Sequence, residues 1–496
     1  MFLTYALLLL LVIPCTLTAW SAWTLAVNRA KADKAHVPIL TRYVAPTNPL
    51  WIVFGNFIIA LFRRLPFGSG YFTRFYLHGW EAKDRYKIHL ELEAILEIPQ
   101  RRKDFKRNVE QMAVLDIYGK NLSTTDDQEW QKHRKATAAT FTERNNELVW
   151  IESLNQAKSM LQYWNERAPH PIRTLSEDAR TFTLNVLAAA LLSKTYPFKG
   201  CEETQQKAPS ARDDFAFRYR DSLSKILQNI VPIFIFGTAG LTSWWMPTPW
   251  KKAGYAVYSL RAYEMELISE ERHNIAHGKK SAPNLVTALV RACEEEQKGG
   301  DAKRRDGLDL RKFILTEEEI ISDLFVYAFA GNDTTAITLA HTLMETLRLC
   351  HPLGQLVKTT GNKFQTIKIG SKVVTIPLDT MIHANMSAHP MDWNPGRWIS
   401  SPADNTHQIE DENLLLDTTG CYLPWASGQR VCPGKKFLQV ELVAVLAKLF
   451  RGHRLEPELE KGETIEAARK RSQFTTQDVQ VRFLNEMRSP ASAGVR

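Results

Sequence analysis

The most chemically specific stretch of the chain is residues 425–434, Trp-Ala-Ser-Gly-Gln-Arg-Val-Cys-Pro-Gly. An apolar, helix-like run follows it through Phe437, Leu438, Val440, Val443, Leu446, Ala447, Leu449 and Phe450. Pro433 suits a first helical turn, where its missing N–H is no loss. Cys432 therefore sits at the positive end of a helix dipole, among backbone N–H groups that favour the thiolate. Gly428 and Gly434 allow a tight turn and close approach to a flat partner. Arg430 supplies a fixed charge for an anionic group on that partner. Together these are the parts needed to bind haem iron from one face and to anchor a propionate. The alternative for an isolated Cys-Pro-Gly is a structural cysteine ahead of a helix; the longer pattern needs residues elsewhere to serve the opposite face.

Two other stretches offer such residues. In residues 115–141, Thr125 and Gln128 have capping-box spacing, which predicts a helix start. Trp130 and Arg134 then lie four apart on one helical face. Alone, they could be a surface stacking pair. Further on, Thr316 and Glu319 form a second capping-box pattern ahead of Ile320, Ile321, Leu324, Phe325, Tyr327, Ala328 and Phe329. That run is apolar on nearly all sides and predicts a buried helix. A polar island interrupts it: Ala330-Gly331-Asn332-Asp333-Thr334-Thr335. A mid-helix glycine costs about 1 kcal/mol relative to alanine, and Asp and Thr compete for backbone hydrogen bonds. A local groove with a carboxylate–hydroxyl relay explains the arrangement, and O₂ activation needs both room and a proton route.

In this order the motifs resemble those of the cytochromes P-450, the haem-thiolate monooxygenases, over nearly the whole chain. The resemblance implies Cys432 as axial ligand of haem b and Arg430 as a propionate contact; Trp425 stands where the family usually has Phe. It implies Trp130 and Arg134 as propionate donors, and Gly331 and Gly434 as close neighbours of the cofactor. Thr334 becomes the oxygen-pocket alcohol, with Asp333 as proton-relay acid. Glu345-Thr-Leu-Arg348 resembles the family's Glu-x-x-Arg, and Arg397 its Pro-x-Arg arginine; the three form an expected structural triad. Phe474–Thr476, in a Ser/Thr-rich turn, matches where family members reach back to the substrate pocket. The implied fold is mainly α with small β-sheets, the cytochrome P-450 fold preceded by one N-terminal membrane helix.

One spacing departs from the family. Thr334 and Glu345 are eleven residues apart with no Pro or Gly between them. On one continuous helix they would lie roughly 16 Å apart, whereas the family places an intervening helix and turns there. A deletion of that connector, real or from a wrongly assembled coding sequence, is the simplest explanation. Sequencing the transcript decides between the two. The linker between His389-Pro390 and Trp393 is also short for the family, and Gly396 replaces the usual acid before Arg397.

The remaining elements must position these groups. The chain has 496 residues and a net charge of +9, with no dense Lys/Arg block, so nucleic-acid binding is unsupported. A basic surface suits an anionic membrane or an acidic partner. Six scattered cysteines without a CxxC pair argue against a disulfide framework or a structural zinc site and fit a cytosol-facing location. No charged side chain occurs from Phe2 to about Asn28, a length that can span a bilayer. Arg29, Lys31 and Lys34 follow, so the positive-inside rule keeps the bulk of the chain cytosolic. A cleaved signal peptide is the rival, but it normally carries a positive n-region.

The expected domains are thus an anchor over 2–28, a linker and membrane-proximal segment over 29–62, and a haem-thiolate catalytic domain over 63–496. Leu50–Phe62 is either a buried helix or an element dipping into the membrane interface. Residues 145–290 read as mainly helical, broken at Pro169, Pro171, Pro197, Pro209, Pro232, Pro247 and Pro249. Residues 294–307 read as a charged loop. Residues 364–377 alternate about Gly370-Ser371 and predict a β-hairpin.

The layout resembles fungal microsomal members, many of which oxidise secondary metabolites. It implies O₂ as co-substrate and a lipophilic small-molecule substrate at a single-pass endoplasmic reticulum membrane. About 60 residues follow Cys432, so NADPH electrons are expected through a separate flavoprotein reductase, docking near Lys132, Lys135, Lys435 and Lys436. A second expectation, drawn from the Thr334–Glu345 spacing, is a relic that keeps the haem motifs without turnover. A soluble cysteine-nucleophile enzyme lacks a positioned histidine.

Overall fold

The structure, a computed structural model, describes residues 2–33, 97–201, 215–279, 284–299, 315–344, 355–369, 372–385, 399–400, 413–414, 425–477, 479–481, 484–487, 489–492 and 494–495. They divide into two units, Met1–Asn108 with Gln355–Arg430 and Val109–Gly354 with Val431–Arg496.

The first unit carries helix α1 (Phe2–Asp33) and most of the strands. β1 (Lys106–Arg107), β2 (Gln355–Thr359) and β5 (Met381–Asn385) form an antiparallel sheet in the order β1-β2-β5. β3 (Gln365–Ile369) and β4 (Lys372–Ile376) pair from Gln365↔Ile376 to Ile369↔Lys372, as the alternation predicts, around a two-residue connection. Ile367 and Val374 oppose each other across that hairpin and pack with Ile98 and Phe105 into a small core. β6 (Ile399–Ser400) and β7 (Asn413–Leu414) form a further short pair.

The second unit is helical. Its helices are α2 (Asp127–Ala138), α3 (Glu143–Asn165), α4 (Leu175–Leu192), α5 (Phe215–Gln228), α6 (Ile230–Leu241), α7 (Thr248–Ala276), α8 (Leu285–Gly299), α9 (Glu317–Met344), α10 (Lys435–Phe450) and α11 (Ile465–Gln477). A small hairpin of β8 (Val479–Val481) and β9 (Asn485–Met487) follows. α9 lies along α4, α10 along α3, and α5 along α7. One apolar core runs through them, including Phe182, Leu187, Leu260, Tyr263, Phe325, Leu339 and Val445. Burial of these side chains is the main driving force for the assembly.

Local signals explain most helix ends. The Thr316–Glu319 capping box forms in both directions: Thr316 N–H donates to Glu319 at 2.7 Å, and Glu319 N–H donates to Thr316 Oγ1 at 3.2 Å. Pro247 caps α7, and Pro249 sits in its first turn. Thr125 does not cap α2. Its hydroxyl donates to the Asn121 carbonyl, and the helix starts two residues later behind Asp126. Side-chain to backbone bonding inside the preceding turn has outcompeted the cap. Two further expectations change. The charged residues 294–299 continue α8 rather than opening a loop. Phe474–Thr476 lies inside α11 rather than in a turn, with Phe474 exposed; i,i+4 bonding such as Thr475 Oγ1 to the Arg471 carbonyl fits a helix there.

Among the described residues no single helix is long and apolar enough to cross a membrane. α1 is helical over the expected anchor, but it does not by itself support a membrane span. Tyr219–Gln228 and Ile230–Leu241 meet that test only as a pair, bent by 108°.

Candidate active site

α2 carries Asp127 and Glu129 in its first turn and Lys135 in its last, which complements the helix dipole. It buries Trp130, His133 and Thr137 and leaves Arg134 half-buried beside them. The buried face meets α9. His133 Nδ1 lies 2.7 Å from Asp323 Oδ2, with both side chains fully enclosed. Asp323 also accepts the Leu122 N–H at 2.9 Å. Burial raises the Asp323 carboxyl above its ordinary range, and the His133 and Leu122 contacts partly oppose this. Tyr327, one turn on, donates to Thr137 Oγ1 at 2.8 Å.

From Glu319 to Ala340, α9 is buried except at Ala330, Gly331 and Thr334. Tyr327, Ala330 or Gly331, and Thr334 recur at i, i+3/i+4 and i+7, so that opening shares the face of Tyr327. Thr334 Oγ1 donates to the Ala330 carbonyl at 2.5 Å. Asp333 turns elsewhere: its Oδ1 is 3.4 Å from Arg180 Nε of α4. Asn332 accepts from Thr183 Oγ1 at 2.8 Å. A Cβ at Gly331 would strike Leu187 Cδ2 at 2.8 Å. Its missing side chain therefore serves the close approach of α4 and α9, a packing role that the sequence did not announce.

Cys432 is open to solvent two residues before Gly434, the N-cap of α10. Packed protein on its other sides nevertheless raises the thiol pKa; the Gly434 N–H and the charge of Arg134 pull it back. The helix start alone therefore does not secure a thiolate, and a bound metal ion would. The phenol of Tyr327 is raised chiefly by burial, and beyond its Thr137 bond it feels Asp323, Arg134 and Cys432. Tyr327 thus ties α2 to the side of α9 that carries the opening, and its phenol lies within electrostatic reach of Arg134 and Cys432.

Gly428, at φ +75°, opens the 3-10 turn Gly428–Arg430, and a Cβ there would meet the Pro99 carbonyl oxygen at 2.6 Å, so only glycine fits. Arg430 closes that turn, half-buried. A Cβ at Gly434 would meet only Cys432 Sγ, at an ordinary 3.9 Å. The chain itself does not require glycine there; a flat group seated on the sulfur would. Within the second unit the residues fit a haem: Cys432 as ligand, Trp130 and Arg134 as propionate donors, and the Ala330–Thr334 opening as the oxygen side. Glu345, Arg348 and Arg397 lie outside the described residues.

Sequence reasoning missed His133, Asp323, Thr137, Arg180 and Tyr327 as site-shaping residues. A signal existed: Ser322-Asp323 interrupts a run otherwise apolar on all sides, and a charge in a buried helix demands a partner. Lys132 is corrected as well. Its ammonium is enclosed against Glu319 at 2.6 Å, so it is not available to a docking reductase.

A family model described as Cytochrome P450 matches residues 83–348 and 341–483, and the chain belongs to the cytochrome P450 family. It is similar to a cytochrome P450 monooxygenase of Arthrobotrys oligospora, at 23% identity over 89% of each chain. It is also similar to the phomenoic acid biosynthesis cluster cytochrome P450 monooxygenase of Leptosphaeria maculans, at 24% identity over 77% of this chain and 76% of that one. Among solved structures, the haem domain of cytochrome P450DA matches 82% of this chain and 86% of its own, with a TM-score of 0.55 at 14% identity. A zebra fish cytochrome P450 with progesterone matches 80% and 90%, with a TM-score of 0.53 at 16% identity. The fold is therefore the mainly helical P450 fold with small sheets, and the enzyme class is that of P450 monooxygenases.

Proposed function

We propose that the protein is a membrane-anchored haem-thiolate monooxygenase that hydroxylates a small lipophilic metabolite in fungal secondary metabolism. Electrons come from NADPH through a separate flavoprotein reductase, at the cytosolic face of the endoplasmic reticulum. The observation that carries this reading is that the Tyr327–Thr137 hydrogen bond joins the helix bearing Trp130 and Arg134 to the open face of α9, in a chain of the cytochrome P450 family. When bound, haem supplies O₂ activation and oxygen insertion. Cys432 would provide the ligand sulfur, while Arg134 and Trp130 would hold the propionates. Thr334 Oγ1 carries a proton on the open side of α9. Asp333, held by Arg180, resupplies it when one carboxylate oxygen is released. The name of the Leptosphaeria maculans relative supports the pathway class.

The uncharged stretch of α1 supports membrane attachment. So does a group of exposed apolar residues in the second unit, Phe234, Ile235, Phe236, Trp244 and Trp245. Lys135, Lys435 and Lys436 are exposed and remain candidates for reductase docking.

Membranes expressing the chain, reduced and treated with carbon monoxide, test the reading. The wild type gives the red-shifted Soret band of a thiolate-ligated haem. Cys432→Ser loses that band and keeps its membrane association. A well-folded wild type without the band rejects the proposal.

One observation favours a second reading, a protein that keeps the haem motifs without turnover. The two family-model segments overlap at 341–348, where the chain is short between Thr334 and Glu345. The alignment with the Arthrobotrys oligospora relative runs over 536 residues, more than the chain contains, so that relative carries stretches absent here. This reading expects haem loss on purification and no substrate-dependent NADPH consumption.

A further inference from the structure

The contact between α2 and α9 is a ladder of three polar rungs in a setting otherwise apolar. Glu319, Asp323 and Tyr327 recur every four residues along one stripe of α9. Opposite them, Lys132 Nζ meets Glu319 at 2.6 Å, His133 Nδ1 meets Asp323 at 2.7 Å, and Thr137 Oγ1 accepts from Tyr327 at 2.8 Å. The turn before α2 is tied to the same stripe. Leu122 N–H donates to Asp323 Oδ1, and Asn121 Nδ2 donates to Ser322 Oγ at 3.1 Å. Ser322 Oγ in turn donates to the Gly119 carbonyl at 2.6 Å.

Apolar contact alone tolerates sliding, because it is non-directional. These rungs do not. Moving α2 along α9 by one turn, about 5.4 Å, would leave enclosed donors and acceptors without partners, and each such orphan is costly. The residue whose place this fixes is Arg134, next to His133 in sequence and one turn before Thr137. The end of the ladder, Tyr327, is the group that feels both Arg134 and Cys432.

We propose that the Lys132–Glu319, His133–Asp323 and Thr137–Tyr327 ladder is a positioning device. It holds α2 and α9 in one register and thereby sets Arg134 relative to the open face of α9, with His133–Asp323 as its central rung. The proposal rests on the haem-thiolate reading above. His133 is a positioning residue that acts through Arg134 and Tyr327.

The test uses the full-length haem-loaded protein. Three variants are compared: His133→Leu, which keeps volume and removes the donor; His133→Asn, which keeps an N–H near the place of Nδ1; and Trp164→Phe. The last removes the distant Trp164–Asp178 bond and controls for lost stability. Readouts are the unfolding temperature, the rate of haem transfer to apomyoglobin, and the share of the carbon monoxide complex in the red-shifted band. His133→Leu loses haem about ten-fold faster, a size that one buried charge-assisted hydrogen bond allows, and gives up most of the red-shifted band. His133→Asn restores both. Trp164→Phe unfolds earlier but keeps the wild-type band and haem rate.

If His133→Leu does not fold, Tyr327→Phe, which removes one hydroxyl, must show the same change in smaller measure. The proposal is overturned if His133→Leu or Tyr327→Phe behaves as Trp164→Phe does, or if His133→Asn is as impaired as His133→Leu. A wild type lacking the red-shifted band removes the haem-thiolate reading and the positioning role with it; a normal wild type with indifferent variants removes the positioning role alone.

Discussion

α9 carries two aspartates ten residues apart, and they live in different regimes. Asp323 is fully enclosed, shared between an imidazole and a backbone N–H, and raised by burial. Asp333 keeps a tenth of its side chain exposed and meets an Arg180 that is a third exposed, at 3.4 Å. The first is placed to specify how two helices fit. The second sits beside the opening of α9 and meets its arginine at a longer distance than any contact Asp323 makes. A proton relay needs the second kind of environment, and a fixed scaffold needs the first.

The contrast can be broken in measurable steps. Asp323→Leu leaves His133 Nδ1 and the Leu122 N–H enclosed without their acceptor. Loss of one partner of a buried pair costs about 3–5 kcal/mol, which denaturant unfolding will read as a lower midpoint. Gly331→Ala pushes a Cβ onto Leu187 and costs about 1–3 kcal/mol by overpacking. Leu187→Ala in the same chain should recover part of that loss, and simple additivity of the two changes would remove the packing role given to Gly331.

Glu441 on α10 sharpens the comparison from another side. It is fully buried, neither carboxylate oxygen has a hydrogen-bond partner among the described residues, and burial holds its pKa well above the ordinary range. Its pKa is higher folded than unfolded, so the native state keeps the proton while the unfolded chain releases it near 4.5. Stability contributed by this group therefore falls as pH rises above that value. Glu441→Gln cannot titrate, so its stability relative to wild type should improve between about pH 5 and pH 8. Parallel curves for the two proteins would contradict that environment. The smallest effect on stability belongs to Asp333→Asn, which keeps the side chain's shape and an acceptor oxygen, at about 1 kcal/mol. Its NADPH consumption should nonetheless uncouple from product formation; unchanged coupling would take Asp333 out of the relay.

Much of this was legible in the chain. The Thr316–Glu319 box, the hairpin about Gly370-Ser371 and the helix after Cys432 follow from neighbours a few residues apart. Those are short-range rules of capping, alternation and punctuation. Thr125 was misread because Asn121, also local, offered its hydroxyl a better acceptor. Phe474–Thr476 looked like a turn by composition and is helix. Lys132 looked like a surface charge until Glu319, 187 residues away, enclosed it.

The sequence by itself determined which groups exist and their local frame: a cysteine ahead of a helix, Trp130 and Arg134 on one face, and an acid and an alcohol in a buried helix. These depend on covalent order and on helix period. Only the tertiary structure decided what each group faces. It gave Gly331 to Leu187, Asp333 to Arg180 and Asp323 to His133, and it raised the Cys432 thiol where its own helix would lower it. Such outcomes depend on burial and on charges brought together from distant parts of the chain, and neither quantity is a property of spacing.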